Sequence, residues 1–292
     1  MRKLKEAIIE KSLLSSALIT IAITAGIILV LSIEAINFFK EVSIVDFLTD
    51  PEWTPLFANK HFGILPLLSG TLITSFIAVA FAVPVGLSIS IYISEYAPKS
   101  FRKTIKPALE LLAAVPTVVY GFFALIVVTP FLQQFIPNLS GFNSLSAGIV
   151  MGIMIIPFVS SLSEDALHAV PKALKEASYG MGATKLQTAF KVVVPAASSG
   201  IIVSIILAIS RAIGETMIVA IAAGQQPRLT LDPTVPVETI TAFIVQVSLG
   251  DVQHGSIEYR TIFAAGITLF VFTFLLNTLS YRIRKKYQEK YE

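Results

Sequence analysis

Charged positions fall in blocks along the chain, and the stretches between them are apolar. Five runs carry no Asp, Glu, Lys or Arg: residues 12–33, 62–94, 111–163, 192–210 and 261–281. About 20 consecutive apolar residues cross the hydrocarbon core of a bilayer as a helix. The run 111–163 is 53 residues long, too long for one crossing. It is interrupted at Gln133, Gln134, Pro137, Asn138, Ser140 and Gly141, a polar, turn-forming stretch. The pattern predicts six helices, at about 13–36, 67–94, 107–133, 144–164, 197–222 and 262–282. They must be helices, because an isolated apolar segment in lipid has to satisfy its own backbone. The predicted fold class is all-α and integral to the membrane, a single transmembrane domain over residues 1–292.

Composition narrows the classes further. Only 14% of the 292 residues are charged and 54% are hydrophobic, with a mean hydropathy of +0.78. A soluble domain carries about 25% charged residues, and disordered chains are poor in apolar ones, so both classes are excluded. The absence of cysteine removes disulfides, thiolate metal sites and cysteine nucleophiles. The net charge of +3 matters through its placement. With the N-terminus in the cytoplasm, the inside segments hold 17 Lys and Arg, and the outside segments hold four: Lys40, Lys60, Arg228 and Arg260. That asymmetry predicts that both termini lie in the cytoplasm. The first run has a basic start but is longer than the 7–15 apolar residues of a signal peptide, so it is read as a retained helix.

Two outside segments are long enough to fold. Residues 41–65 contain Trp53, the only tryptophan, and read as an aromatic anchor at the membrane surface. Residues 225–260 carry Ile240, Phe243, Ile244 and Val247 at helical spacing, with Gly250 as a stop. This helix is expected either to lie on the membrane or to dip back into the protein.

Several chemistries are missing. His61, His168 and His254 lack ligand-like spacing, so no metal site is expected. Residues 180–185 (Gly-Met-Gly-Ala-Thr-Lys) fail the phosphate-loop spacing, and Leu186 stands where Ser or Thr is required. The chain therefore binds no nucleotide cofactor itself, and no nucleic-acid partner is expected.

The loop 165–195 is the most specific feature. Pro171 suits the first turn of a helix, Gly180 and Gly182 provide a break, and Pro195 punctuates the next helix. Glu176, Ala177 and Ser178 are followed after three residues by Gly182, then after nine by Val192, with Val194 and Pro195 completing the pattern. This resembles the EAA loop of bacterial ABC importer permeases, E-A-A-x3-G-x9-I-x-L-P, with Ser for the third Ala and Val for both aliphatics. The resemblance implies a type I importer permease (MetI-like) architecture in a bacterial or archaeal cytoplasmic membrane. It further implies that Glu176, Ala177, Ser178, Gly182 and Pro195 belong to a coupling loop docking on a separate ATPase subunit, which would bind ATP and Mg.

The predicted fifth helix contains Arg211, Gly214 and Glu215. A charge at the bilayer centre costs roughly 2.5–3.5 kcal/mol on insertion scales, so such residues face a bundle interior or a water-filled path. Arg211 and Glu215 are four apart and are expected to share a helix face and meet. Gly214 between them would let another backbone or a ligand approach. The arginine fork suits an oxyanion, with Glu215 limiting its retention; a structural pair is the alternative.

The stretch Arg-Ala-Ile-Gly-Glu-Thr-Met at 211–217 sharpens the resemblance. So do Ala-Ala-Val-Pro-Thr-Val-Val-Tyr-Gly at 113–121 and Ile-Ile-Pro-Phe at 155–158. Together they resemble the C-type (PstC) permease family of phosphate-specific ABC importers over residues 65–282. That resemblance implies transport of inorganic phosphate with no bond-making by this chain. The implied partners are an A-type permease subunit, two ATPase subunits, an extracytoplasmic phosphate-binding protein and membrane lipid. It also implies that Arg211 and Glu215 lie in the translocation path. Thr117 and Tyr120 are possible path-lining residues; packing is the alternative, with Pro116 kinking helix three and Thr117 satisfying a freed carbonyl. Other oxyanions (sulfate, molybdate) and a membrane signalling or scaffold role in phosphate sensing are the rival functions.

Overall fold

A computed structural model describes residues 2–287, without the side chains of residues 2–5, 7, 8, 99, 110 and 283–287. Among the described residues, four helices are continuous and apolar enough to cross a membrane. They are α1 (Arg2–Phe39), α3 (Leu65–Ile91), α7 (Ser144–His168) and α14 (Ile257–Tyr287). Two bent pairs raise the number of possible spans to six. In the first, α4 (Lys99–Ala114) meets α5 (Thr117–Phe123) and α6 (Thr129–Gln133) at a bend of 86°. In the second, the stretch Lys185–Ala196 meets α11 (Ser198–Ile213) at 71°. The predicted third helix is therefore two helices at nearly a right angle. Val115 and Pro116 are both extended at the corner, as expected of a proline and the residue before it.

Proline also accounts for the π-helical turns at Tyr92–Tyr96, Ala124–Val128 and Ala189–Val193. Each is followed within two residues by a proline: Pro98, Pro130 and Pro195. A proline offers no N–H to the carbonyl four residues back and its ring crowds that carbonyl, so the preceding turn widens. At the second turn Thr129 takes up the slack, its hydroxyl donating to the Ala124 carbonyl at 3.0 Å.

The core is the parallel pair α3–α7, in which Ile77 meets Gly148, Phe81 meets Gly152 and Gly86 meets Val159. Small residues let the backbones approach: a Cβ on Gly148 would stand 2.7 Å from Ile77, and one on Gly86 2.8 Å from Val159. Ala78, Ala82, Met151, Ile155 and Val159 fill the seam, and α5, α11 and α12 (Met217–Ala222) close around it. Ser163 and Ser204 join α7 to α11 through a buried 2.7 Å hydrogen bond. Most of α1 is exposed; it packs on α14, and its buried residues Ala35 and Phe38 lie near its C-terminal end. Its polar Ser16, Thr20 and Thr24 satisfy themselves by donating to carbonyls four residues back.

The segment between α1 and α3 is not a surface anchor. Trp53 is 1% exposed and lies edge-on to Phe47 and Phe243 at 6.2 and 5.0 Å. With Phe38, Ile64 and Leu67 it forms a second core, above which α2 (Ile44–Thr49) is capped by the Ser43 hydroxyl. The opposing wall is α13 (Ile240–Leu249), which dips back into the protein and packs on α3, α12 and α14. The four positions of its apolar stripe are all buried or half-buried, and it ends at Gly250.

Candidate functional site

The predicted fifth helix breaks where its charges lie. α11 ends at Ile213, Gly214 is its C-cap, and α12 starts at Met217. The Glu215 N–H turns back to the Ala212 carbonyl, a tightened last turn. Its carboxylate Oε1 accepts from the N–H groups of Met217 and Ile218 at 3.1 and 3.3 Å. A carboxylate satisfying the orphan donors of a helix start is favoured by charge-assisted bonding and by the helix dipole. The Glu215 carbonyl, freed by the break, accepts from the Thr241 hydroxyl of α13 at 2.6 Å. Glu215 is buried.

Arg211 points elsewhere. It sits in the last turn of α11, where the helix dipole favours a cation. It is exposed, and its guanidinium reaches the Met154 sulfur at 4.0 Å. The expected Arg211–Glu215 pair is absent from the ion pairs among the described residues. The i,i+4 geometry needs an unbroken helix, and Gly214 ends it. Gly214 itself is open: a Cβ added there would meet only the Ser210 carbonyl within 4 Å. The junction thus presents one buried, capped carboxylate and one exposed cation that has no carboxylate partner among the described residues.

Tyr120 and Thr117 serve the bend. Tyr120 is buried and donates to the Leu112 carbonyl at 2.7 Å across the α4–α5 corner. The tyrosine, not Thr117, therefore satisfies the carbonyl at the kink. Thr117 is half-buried at the start of α5.

The loop between α7 and α11 is built from its own residues. Pro171 caps α8 (Lys172–Gly180). Gly182 adopts φ +81°, its N–H bonds the Tyr179 carbonyl, and the Ala183 N–H bonds the Ser178 carbonyl. These are the two bonds of a Schellman stop, whose left-handed residue is best glycine. Thr184 and Gln187 then form a reciprocal capping box that starts α9 (Lys185–Thr188), so the Gly-Met-Gly-Ala-Thr-Lys stretch is a helix stop followed by a helix start. Ser178 and the buried Thr188 join hydroxyls at 2.9 Å, tying α8 to the returning helix. The helix then passes through its π-turn into α10 (Val194–Ala196), which carries Pro195. Glu176 and Ala177 are exposed. Around them Tyr179, Met181, Leu186 and Phe190 present apolar side chains to the outside.

Sequence reasoning missed the ties that hold this loop and α4 to the bundle. Lys175 bonds Glu95 at the end of α3 at 2.6 Å, with both side chains mostly buried. Arg102 and Lys106 of α4 pair with the buried Glu164, and Lys106 also with Asp165 at 3.2 Å. These partners are 58 to 80 residues apart, so no local pattern announces them. Also missed was Glu238, buried just before α13; a lone glutamate ahead of an apolar helical stripe was the available signal.

Residues 82–289 match the family described as "Binding-protein-dependent transport system inner membrane component". Among named relatives, the chain is 36% identical to the probable ABC transporter permease protein YqgH of Bacillus subtilis, covering 90% of this chain and 85% of that one. It is 34% identical to the phosphate transport system permease protein PstC of Mesorhizobium japonicum, covering 95% and 89%. Among solved structures, a bacterial importer of the acidic polysaccharide alginate superimposes with a TM-score of 0.63 at 20% identity, covering 96% of this chain and 99% of that one. An inward-facing methionine ABC transporter gives 0.60 at 18% identity, covering 76% and 96%. These structures share the fold.

Proposed function

The chain belongs to the family of binding-protein-dependent transport system inner membrane components, and from that premise we propose that it is the permease through which an ATP-driven importer moves inorganic phosphate. The family consists of membrane transport components, not enzymes. Relatives named as phosphate transport permeases, in bacteria and in an archaeon, support the cargo.

The observation that carries the reading is Arg211: an exposed guanidinium, free of carboxylate partners among the described residues, at a helix break within an apolar stretch of the chain. A cation kept there at a cost of kcal/mol calls for a counter-anion or water. A planar fork with paired N–H donors matches a tetrahedral oxyanion. Glu215 has its carboxylate committed to α12 and holds negative charge near the site without neutralising the arginine. An A-type permease subunit would cover the exposed face carrying Arg211 and complete the path. Thr117 and Tyr120 act at the bend, through packing and a carbonyl bond, and not on the anion.

Energy enters at the other end. Glu176, Ala177 and Ser178, with the Gly182 stop and Pro195, shape a rigid cytoplasmic projection. Two ATPase subunits would bind ATP and Mg and dock on it, and an extracytoplasmic phosphate-binding protein would deliver cargo on the opposite side. Both termini then lie in the cytoplasm.

The test is phosphate uptake with ATPase co-purification in two variants. Arg211→Ala keeps the ATPase and loses uptake; Glu176→Ala weakens or uncouples the ATPase. Normal transport by Arg211→Ala would remove the anion-path assignment. Glu215→Gln retains the oxygen that caps α12 and removes the charge, so altered competition by sulfate in that variant isolates the electrostatic role.

A further inference from the structure

Glu238 is placed unlike any other acid among the described residues. It is 2% exposed. Its Oε1 is shielded from solvent and makes no hydrogen bond. Its backbone is wedged against α3, where a Cβ on Gly70 would stand 2.1 Å from the Glu238 carbonyl oxygen. The residues that follow fasten α13 in place. Ile240 N–H bonds the Thr71 hydroxyl of α3 at 3.1 Å, Thr239 and Thr241 join hydroxyls at 3.1 Å, and Thr241 holds the Glu215 carbonyl. Glu238 therefore sits at the hinge by which α13 enters the bundle and reaches the break between α11 and α12.

No cation among the described residues compensates it. α3 carries no charge, α12 and α13 carry none, and α7 carries none before Glu164, which pairs with Arg102 and Lys106. On α14, Glu258 pairs with Lys60, and Arg260 with Glu41 and Glu34. In its own segment Arg228 and Asp232 lie toward solvent, and at the break Glu215 is capped while Arg211 faces away toward Met154. An ionised carboxylate without a partner is expensive to bury, and protonation relieves the cost. Burial pushes the Glu238 carboxyl up to about 8.

We propose that Glu238 is a proton-binding site that latches α13: the carboxyl is protonated while α13 is packed between α3 and α12, and it loses the proton to water when α13 withdraws. The inference does not depend on the identity of the transported anion. The sign follows from linkage. Between the ordinary carboxyl value of about 4.5 and the raised value of about 8, the packed form binds one more proton than the withdrawn form. Acid therefore favours the packed form, and raising the pH loosens it up to about 8, beyond which the effect levels off.

Hydrogen exchange of the α13 amides in the assembled, detergent-solubilised protein reads this directly. After correction for intrinsic exchange, the opening equilibrium of residues 240–249 rises about tenfold per pH unit between pH 6 and 7.5 in the wild type, the slope of a single linked proton. Glu238→Gln, a neutral near-isostere of the protonated acid, keeps α13 protected and removes the slope, while α7 amides show no slope in either protein. A wild-type opening independent of pH, or an unchanged slope in Glu238→Gln, overturns the proposal. Because the readout is not transport, a failed uptake assay leaves this result interpretable, and a failed exchange result leaves the phosphate reading standing.

Discussion

The segment joining α1 to α3 and the loop joining α7 to α11 are both rich in large apolar side chains, yet only the first builds an aromatic core from them. The first folds Phe38, Phe47 and Trp53 onto Ile64 and Phe243 in an edge-to-face core, with Ile44, Val45, Leu48 and Phe57 left exposed on its outer side. The second keeps its shape through caps and a glycine stop and leaves Met181 90% exposed, with Tyr179, Leu186 and Phe190 beside it. A segment that builds such a core is part of the fold. One that holds its shape with local hydrogen bonds keeps its apolar surface for a partner.

The largest test of that contrast is Trp53→Ala set against Met181→Ala. Truncating a buried tryptophan costs about 3–5 kcal/mol, whereas an exposed side chain away from special features stays within about 0.5 kcal/mol. Thermal unfolding of the detergent-solubilised protein should show a large drop for Trp53→Ala and almost none for Met181→Ala, while ATPase co-purification falls for Met181→Ala. Equal melting shifts would erase the distinction between the two regions.

A middle-sized effect is expected from Gly182→Ala. The left-handed conformation costs a residue with a side chain about 1–2 kcal/mol, and a Cβ there meets no neighbour, so the penalty is purely conformational. Because α8 contributes no buried residue, the cost should appear as local fraying of the loop. Limited proteolysis near residues 180–184 should accelerate with the global melting point unchanged; a lowered global melting point would mean that the loop is integral to the core.

The smallest effect concerns His61, which bonds Asp50 at 2.8 Å on the surface of the first segment. The hydrogen bond to Asp50 raises the imidazole above its ordinary 6.5. A raised folded-state value means that the contribution is complete below about pH 6.5 and is lost as pH rises through the raised value. Both side chains are partly exposed, so solvent screens the pair. His61→Gln should melt slightly lower than the wild type at pH 6 and identically at pH 9. A difference that grows with pH would reverse the sign and remove the pair as its cause.

Much of the fold was legible because it is local. Lipid forces each apolar run to satisfy its own backbone, so charge-free runs mark the spans. The stripe Ile240, Phe243, Ile244 and Val247 with Gly250 marked α13 because helical spacing and a stop lie close together in the chain. Gly182 was legible as a break for the same reason. Trp53 was misread as an interfacial anchor, since an aromatic cluster looks alike in sequence whether it faces headgroups or the distant Phe243 of α13.

The candidate site divides along the same line. Residue types and spacing by themselves singled out Arg211, Gly214 and Glu215 as charges and a glycine kept inside an apolar segment, because the cost of placing a charge there follows from hydropathy alone. Whether the two charges meet depended on tertiary partners. Thr241 donates to the Glu215 carbonyl, α12 takes the carboxylate, and Met154 lies beside the guanidinium. A helix i,i+4 rule presumes an unbroken ladder, and only the arrival of α13 at the break supplies the hydrogen bond that lets the ladder end. The buried Glu238 belongs wholly to that second category. Its sequence neighbours give it no charge to answer, and its isolation exists only once α3 and α13 have closed over it.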